Sequence, residues 1–351
     1  MRLSGVLTIP SLISPARAGF AALAAMAWLV AGVLAVAKAA AARATAKVQQ
    51  FAPDAVNGAE LAAPIKSNRP SPVLLKAQVL LDGASFSPGL MDAKPGTNFT
   101  KALAAFQRFA DLPATGRLDG ATWARLVETS HEPALTEYQI TDDDVKGPFE
   151  RSIPHGLERM AHLKHLGYRS PVELLSEKFH VDEGLLRTLN PGKPLDRAGT
   201  VITVPNVTAA RNDGAVTRIE VDKAEKAIRA FNNDGDLVAF YPASIGSTDK
   251  PAPSGSFQVR RVTMNPTYHY DPKFKFKGVH TRHKLTVAPG PNNPVGLVWI
   301  DLSKPSYGIH GTPEPGQIGK TQSHGCIRLT NWDALDLARR VRRGVDVAFL
   351  D

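Results

Sequence analysis

The spacing of hydrophobic positions along the 351-residue chain changes near residue 215, from a helical period to a strand-like alternation. Before that point Phe99, Leu103 and Phe106 recur at spacings of three to four, which predicts an amphipathic helix. Asp119 precedes a second helical run, where an aspartate is a favoured N-cap. The pattern therefore predicts a small helical bundle over residues 72–130.

Residues 135–207 combine two short helical runs with one strand. A Ser-Pro pair at Ser170 predicts the start of one helix, and Asp182 predicts the cap of the next. An Asn-Pro-Gly sequence from Asn190 ends the second helix, and the alternating run TVITVP at 200–205 predicts a closing strand. This stretch is therefore predicted to be a small α/β module.

From residue 215 onward the pattern is that of β-strands. An Asn-Asp-Gly turn at 233–235 lies between two alternating runs and predicts a hairpin. Near the C-terminus a run around Asp333 predicts an amphipathic helix that ends by Gly344 and is followed by a last strand. The whole chain is predicted to have an α+β multidomain fold, with a β-rich, sandwich-like domain over residues 215–351.

The N-terminal residues 1–39 differ from the rest in composition. Two arginines and no acidic residue precede an apolar run, Gly19 to Ala37, and an Ala-Lys-Ala sequence follows at 37–39. This order matches an export signal with a cleavage site, and the run is also long enough to anchor the chain in a membrane if it is not cut. Both alternatives place the remainder outside the cytoplasm. The Ala- and Pro-rich residues 40–71 are predicted to be a linker.

The formal charge of +9 changes the picture little, because the lysines and arginines form no block. It agrees with a generally basic soluble protein and also with attraction to an anionic cell envelope. The chain has no nucleic-acid-binding motif, so we expect no nucleic-acid partner.

Cys326 is the only cysteine of the chain, so it cannot form an internal disulfide. An intermolecular bridge, an inert buried thiol and a nucleophile are the three alternatives. Its neighbours favour a nucleophile: Gly325 permits a sharp turn at which successive backbone N–H groups can stabilise an oxyanion. Either His310 or His324 has the chemistry to accept the thiol proton. The two histidines and the cysteine would give a metal only three ligands, and we expect no metal or other cofactor.

The sequences Ile-His-Gly at 309–311 and SHGCIRL at 323–329 resemble the signature of the L,D-transpeptidase catalytic domain of the YkuD type. The resemblance covers residues 215–351. Residues 72–130 resemble a three-helix peptidoglycan-binding domain, and residues 135–207 resemble a LysM-type glycan-binding repeat. The positions that match the peptidoglycan-binding domain are Phe99, Ala102, Ala105, Phe106, Gln107, Leu112, Thr115, Gly116, Asp119, Thr122 and Leu126.

The resemblance implies a role for each residue of the signature. Cys326 would be the nucleophile, His310 its base, and the carbonyl of Gly311 would orient the imidazole. His324 and Gly325, together with Cys326, would supply the oxyanion donors.

Four further residues are implied at the substrate site. Ser323 would hold the turn, and Tyr307 and Asn293 would line the cleft. Arg328 would either pair with a substrate carboxylate or pack against the helix that contains Asp333.

The implied function is a periplasmic L,D-transpeptidase that acts on peptidoglycan stem tetrapeptides. A thioester on Cys326 would form with release of D-alanine, and an amine of a second stem would resolve it to a 3-3 crosslink. Water as acceptor would make the protein an L,D-carboxypeptidase, and an amine of an envelope protein would make it a ligase. A wall-binding protein without catalysis is the alternative of another class. The expected partners are the stem peptides and glycan of peptidoglycan.

Overall fold

The computed structural model describes residues 49–207, 214–247, 250–274, 281–321 and 325–351. The predicted export segment, residues 1–39, lies outside the described residues, as do Ser323 and His324. No helix within the described ranges has the length and apolar character needed to cross a membrane.

The N-terminal region is helical, as the sequence predicted. Its helices are α1 (Pro53–Asn57), α2 (Pro72–Gly83), α3 (Thr97–Phe109) and α4 (Gly120–Val127). The Asp119 carboxylate accepts a hydrogen bond from Thr122 N–H and caps α4, as predicted. Phe99, Leu103 and Phe106 are buried together in the core of the bundle.

Part of the predicted linker is ordered. Phe51 lies two residues before α1 and Val56 lies within it, and both are buried in the core of the middle module. The sequence pattern missed this helix because it has only five residues, too few to display a helical period.

The middle module begins and ends with a strand. Its elements are β1 (Leu135–Gln139), α5 (Asp142–Lys146), α6 (Leu157–Met160), α7 (Pro171–Lys178), α8 (Glu183–Leu189) and β2 (Val201–Pro205). Strands β1 and β2 pair antiparallel, with Leu135 opposite Pro205. The opening strand β1 was not predicted, since its sequence LTEYQ is exposed or half-buried after Leu135 and shows no alternation.

The C-terminal region is built on one nine-stranded sheet and a separate two-stranded sheet. Its elements are β3 (Arg218–Asp222), β4 (Ala227–Phe231), β5 (Leu237–Pro242), β6 (Ser244–Ile245), β7 (Gly255–Met264), β8 (Tyr268–Tyr270), β9 (Leu285–Val287), β10 (Val298–Leu302), β11 (Gly308–His310), β12 (Ile327–Arg328), α9 (Asn331–Arg340) and β13 (Asp346–Leu350). The order in the large sheet is β5-β4-β3-β13-β7-β10-β11-β12-β6, and β8 pairs with β9. The mixed α+β fold with a β-rich C-terminal domain is confirmed.

The long strand β7 belongs to both halves of the large sheet. Its first residues pair with β13, and its later residues pair with β10. Both halves contribute to one hydrophobic core, in which Leu337 of α9 is completely buried. The predicted hairpin at 233–235 is confirmed, because β4 and β5 pair antiparallel around it.

A row of isoleucines crosses the second half of this sheet. Ile300 of β10 lies opposite Ile309 of β11, Ile309 opposite Ile327 of β12, and Ile327 opposite Ile245 of β6. All four are buried in the same core. Since side chains alternate across a strand, the residues next to these isoleucines must lie on the other face of the sheet.

Candidate active site

The face opposite the isoleucine row brings the sequence-predicted residues together. His310 lies opposite Trp299 on one side and opposite Arg328 on the other. Cys326 stands two positions before Arg328, so the same alternation places it on this face. The pairing of β10, β11 and β12 therefore joins residues of three separate chain segments into one surface.

This surface lines an open cavity of about 1030 Å³. Tyr307, His310, Cys326 and Arg328, four of the residues that the sequence predicted for the site, all contribute to its wall. A cavity of this size can hold a peptide-like ligand.

His310 is held as a neutral imidazole with one defined tautomer. It is 4% exposed, and its Nδ1 lies 2.7 Å from the carbonyl oxygen of Gly311. A carbonyl oxygen only accepts, so Nδ1 carries the proton and Nε2 retains its lone pair. Burial, followed by the positive charge of Arg328, lowers the pKa of His310 from 6.5 to about 3.

The ring of His310 is also held by stacking. It lies over the indole of Trp299, with the ring centres 5.5 Å apart and an angle of 22° between the planes. Trp299 is the residue opposite His310 in the neighbouring strand, so the strand register itself creates this contact.

Cys326 is a half-buried thiol immediately before β12. Its Sγ lies 3.8 Å from the carbonyl oxygen of Ser306, and the backbone N–H of Gly308 donates to the sulfur. Burial raises the pKa of the Cys326 thiol, while the Gly308 N–H and the charge of Arg328 act in the opposite direction. The thiolate is thus disfavoured by desolvation and favoured by one N–H group and one cation.

The turn before Cys326 has the backbone conformation that the sequence predicted. Gly325 has φ +103°, which residues with a side chain rarely adopt. A Cβ at this position would also lie 3.3 Å from Cε1 of Tyr307. Glycine therefore permits both the turn and the close approach of the tyrosine ring.

The structure revises the interpretation of Asn293 and selects between the two environments proposed for Arg328. Asn293 is fully buried and does not line the cavity; its amide donates to the Ala288 carbonyl at 2.7 Å and its oxygen accepts from Val295 N–H at 2.9 Å. Its role is to hold a loop. Arg328 faces the cavity with Cys326, so of its two predicted environments the structure places it in the cleft.

Sequence reasoning missed several residues of the cavity wall. Trp299 and Tyr268 lie in stretches that share in the family resemblance, but the sequence assigned neither of them a role, and Leu157 comes from the middle module. The alternation in β10 could have placed Trp299 opposite the buried Ile300, but its contact with His310 requires the register between strands. No sequence signal connects Leu157 to this site, because the contact spans more than 150 residues.

A β-rich domain that presents a cysteine and a neutral histidine to one cavity has the groups that cysteine-dependent acyl transfer requires. A family model described as "L,D-transpeptidase catalytic domain" matches residues 216–348. A second model, described as "Putative peptidoglycan binding domain", matches residues 71–126.

Relatives with curated descriptions carry the same family name. "Putative L,D-transpeptidase YkuD" of Bacillus licheniformis is 31% identical over 180 residues, which are 50% of this chain and 92% of the relative. "Probable L,D-transpeptidase YbiS" of Escherichia coli is 28% identical over 190 residues, 53% of this chain and 61% of the relative. The chain belongs to the YkuD family of L,D-transpeptidases.

Solved structures of similar proteins include an L,D-transpeptidase from Mycobacterium smegmatis. It is 20% identical, with a TM-score of 0.32, and the match covers 45% of this chain and 76% of that protein. L,D-transpeptidase 3 from Mycobacterium tuberculosis is 17% identical, with a TM-score of 0.33, over 44% of this chain and 76% of that protein.

Proposed function

We propose that the protein is a periplasmic L,D-transpeptidase that joins peptidoglycan stem peptides through a thioester on Cys326. The observation that carries this proposal is the pair of side chains in one cavity: a thiol, and an imidazole whose Nε2 is free of its proton. These are the nucleophile and base that acyl transfer through sulfur needs.

In the first half-reaction the Nε2 atom of His310 takes the proton of the Cys326 thiol. The sulfur attacks the carbonyl carbon of the bond between the L-centre of the diamino acid and the terminal D-alanine. The backbone N–H groups of His324, Gly325 and Cys326 are the proposed donors to the resulting oxyanion. As the carbon–nitrogen bond breaks, the imidazolium of His310 protonates the departing amine, and D-alanine leaves a thioester on Cys326.

In the second half-reaction an amine of another stem peptide attacks the thioester. His310 takes the proton of this amine, the carbon–sulfur bond breaks, and the sulfur recovers its proton from the imidazolium. The product is a 3-3 crosslink and the free enzyme. No cofactor takes part in either half-reaction as proposed.

The charges of the cavity support a substrate with carboxylates. Among the described residues, Lys250, Arg261 and Arg328 line the wall, against one acidic residue, Asp271. Stem peptides end in a carboxylate and carry others along their length, and guanidinium groups bind carboxylates with favourable geometry. Arg328, beside Cys326, is the proposed partner of a substrate carboxylate.

The other two modules are proposed to hold the enzyme on its polymeric substrate. We assign peptidoglycan binding to residues 72–130, glycan binding to the LysM-like residues 135–207, and catalysis to residues 215–351. A binding module raises the local concentration of substrate without taking part in chemistry.

The experiment that tests the proposal compares the full chain with its Cys326→Ala variant on tetrapeptide-containing peptidoglycan. We expect mass spectrometry to detect a thioester on the unaltered protein, and D-alanine to be released only by it. Binding to isolated wall sacs should be the same for both proteins. D-alanine release by the variant would contradict the proposal.

The acceptor is decided by the products of the same incubation. A crosslinked dimer supports transpeptidation, a tripeptide without a crosslink supports an L,D-carboxypeptidase, and attachment to an added envelope protein supports a ligase. Absence of both thioester and D-alanine release would favour a wall-binding protein without catalysis.

A further inference from the structure

A buried carboxyl group of the middle module, that of Glu177, reaches the first residue of α9. The amide Nδ2 of Asn331 donates to Glu177 Oε2 at 2.9 Å and to the carbonyl oxygen of Pro291 at 3.1 Å. Glu177 lies on α7, and the two residues are 154 positions apart in the chain. Asn331 is 1% exposed and Glu177 is 7% exposed, so this hydrogen bond joins the modules in the interior of the protein.

The other side of the Asn331 amide packs against the peptide that orients His310. Its Oδ1 accepts from Leu297 N–H at 3.1 Å. A Cβ built on Gly311 would lie 2.2 Å from this Oδ1, and one built on Gly296 would lie 2.0 Å from it. Real atoms do not approach so closely, so glycine at both positions leaves the room that the Asn331 oxygen occupies. The carbonyl of the same Gly311 accepts from His310 Nδ1.

Glu177 is an unusual group for this interior. Burial raises its pKa to about 8, against the effect of the Asn331 hydrogen bond. The side chains of Tyr168 and Asn331 share hydrogen bonds with it, and Glu173 and Arg169 are the charged groups nearby. Burial of a carboxyl group lowers the stability of a protein unless hydrogen bonds compensate for the lost hydration. Glu177 takes no part in either proposed half-reaction, so its burial beside Asn331 needs a reason other than catalysis.

We propose that Asn331 and Glu177 are positioning residues, through which the middle module holds the Gly311 peptide and thereby the catalytic orientation of His310. Glu177 fixes the Asn331 amide, and Asn331 fixes the place of Gly311. The Gly311 carbonyl fixes the Nδ1 proton and directs Nε2 of His310 to the cavity. The middle module is then a structural part of the active site in addition to any role in wall binding. This inference rests on the proposed roles of His310 and Cys326.

The test measures the rate at which iodoacetamide alkylates Cys326 in the full chain between pH 6 and 9. This rate depends on the removal of the thiol proton and requires no natural substrate. We expect Asn331→Ala and Glu177→Leu to lower the rate at pH 7 about tenfold, toward that of His310→Ala, because a displaced base loses its alignment. Glu177→Gln retains an acceptor of the same shape and should stay within about twofold of the unaltered protein.

Asn190→Ala is the matched control. Asn190 is a buried asparagine like Asn331 but lies in the middle module, and its amide donates to the carbonyl oxygens of Leu186 and Thr203. Its loss should lower the melting temperature as the loss of Asn331 does, and should leave the alkylation rate unchanged. A rate lowered equally by Asn190→Ala would mean that the effect is one of stability, and would overturn the proposal.

The proposal is also overturned if the pH dependence of alkylation in Asn331→Ala and Glu177→Leu coincides with that of the unaltered protein, or if Glu177→Gln is as slow as Glu177→Leu. Should Asn331→Ala fail to fold, the pair of Glu177 variants gives the same decision. Failure of the proposed function is seen separately. Suppose that the unaltered protein is alkylated faster than His310→Ala but releases no D-alanine. The proposed function would then be wrong, and the positioning role of Asn331 and Glu177 would still stand.

Discussion

At the scale of single residues, the state of His310 follows from its surroundings. Burial opposes a charge on the ring, the cation Arg328 opposes it further, and the Gly311 carbonyl holds the proton on Nδ1. The same burial raises the pKa of the Cys326 thiol. The lowered pKa of His310 and the raised pKa of Cys326 both favour a resting pair of neutral thiol and neutral imidazole over an ion pair. His310 is therefore unprotonated at neutral pH, as the proposed transfer of the thiol proton to Nε2 requires.

A prediction on pH follows from this state. His310, with a pKa of about 3, remains an unprotonated base throughout the range in which an ordinary histidine becomes charged. We expect kcat/KM for D-alanine release to stay within about threefold of its pH 7 value down to pH 5. The measurement is a pH profile of the full chain on a tetrapeptide substrate. A fall centred near an ordinary histidine pKa of about 6.5 would contradict it.

At the scale of elements, two very short strands position the proposed catalytic residues: His310 ends β11, and Cys326 immediately precedes β12. Strand β11 has three residues and β12 has two, so neither is stable alone. Their isoleucines in the core and their pairing with β10 and β6 hold them in register. A slip by one residue would move His310 and Cys326 to the core side, and the burial of the isoleucine row opposes it.

The segment that contains α6 adds a wall to the cavity from outside the catalytic domain. Leu157 lines the cavity, and the neighbouring Glu158 Oε1 accepts from Thr281 N–H at 3.1 Å. Further along, Leu166 N–H donates to the Pro289 carbonyl at 3.0 Å, which fastens the segment beside the cleft.

Removal of the Leu157 side chain from the cavity wall should weaken substrate binding. We expect Leu157→Ala to raise KM for the tetrapeptide about fivefold, because an apolar contact of this size is lost, and to leave kcat nearly unchanged. Leu163→Ala is the control, since Leu163 is a half-buried leucine of the same segment that does not line the cavity. Steady-state kinetics of both variants decide the question, and an equal KM for the two would contradict the prediction.

At the scale of the whole molecule, the modules pack together within one compact unit, Gln50–Asp351. The helical bundle docks on the edge strand β5, where Ser87 N–H donates to the Phe240 carbonyl at 2.9 Å and Phe240 N–H donates to the Ser85 carbonyl at 2.9 Å. These bonds cover an edge that would otherwise be open to other chains. Trp332 of α9 stacks on His180 of the middle module, with ring centres 5.0 Å apart.

Helix α9 also places a carboxyl group at this junction. Asp333 is buried, and its Oδ2 has no hydrogen-bond partner among the described residues. Burial, with the nearby carboxylate of Asp82, raises the pKa of Asp333 from 3.8 to about 8. The folded protein thus keeps a proton at neutral pH that the unfolded chain releases. As pH rises from about 4 to 8, this group lowers the free energy of unfolding.

Replacement of this carboxyl should change how stability depends on pH. We expect the melting temperature of the unaltered protein to fall more between pH 5 and pH 8 than that of Asp333→Asn, because asparagine has no proton to keep. Thermal unfolding followed by circular dichroism at the two pH values measures the difference. Asp142→Asn, at an exposed position, should behave as the unaltered protein. Equal falls for all three proteins would contradict the assignment.

Much of the local structure was predictable from the sequence. The caps at Asp119, Ser170 and Asp182, the hairpin at 233–235 and the helix around Asp333 are all confirmed. Each depends on hydrogen bonds or burial within a few residues, which a local pattern reports. Four short elements of this part of the chain were missed: α1, β1, α5 and α6. Of these, α1 and β1 are stabilised by contacts with distant residues and leave no such pattern.

The sequence by itself determined the family and the fold class, because these are carried by motifs and by periods of two and 3.6 residues. From the same motifs it predicts Cys326 and His310 as the reacting pair. Only the tertiary structure decided which nitrogen of His310 bears the proton, that Arg328 faces the cavity while Asn293 does not, and that Leu157 and Glu177 lie beside the site. The physical reason is distance along the chain. These contacts join residues that are brought together only when separate modules bury their surfaces against one another, and no local spacing records that event.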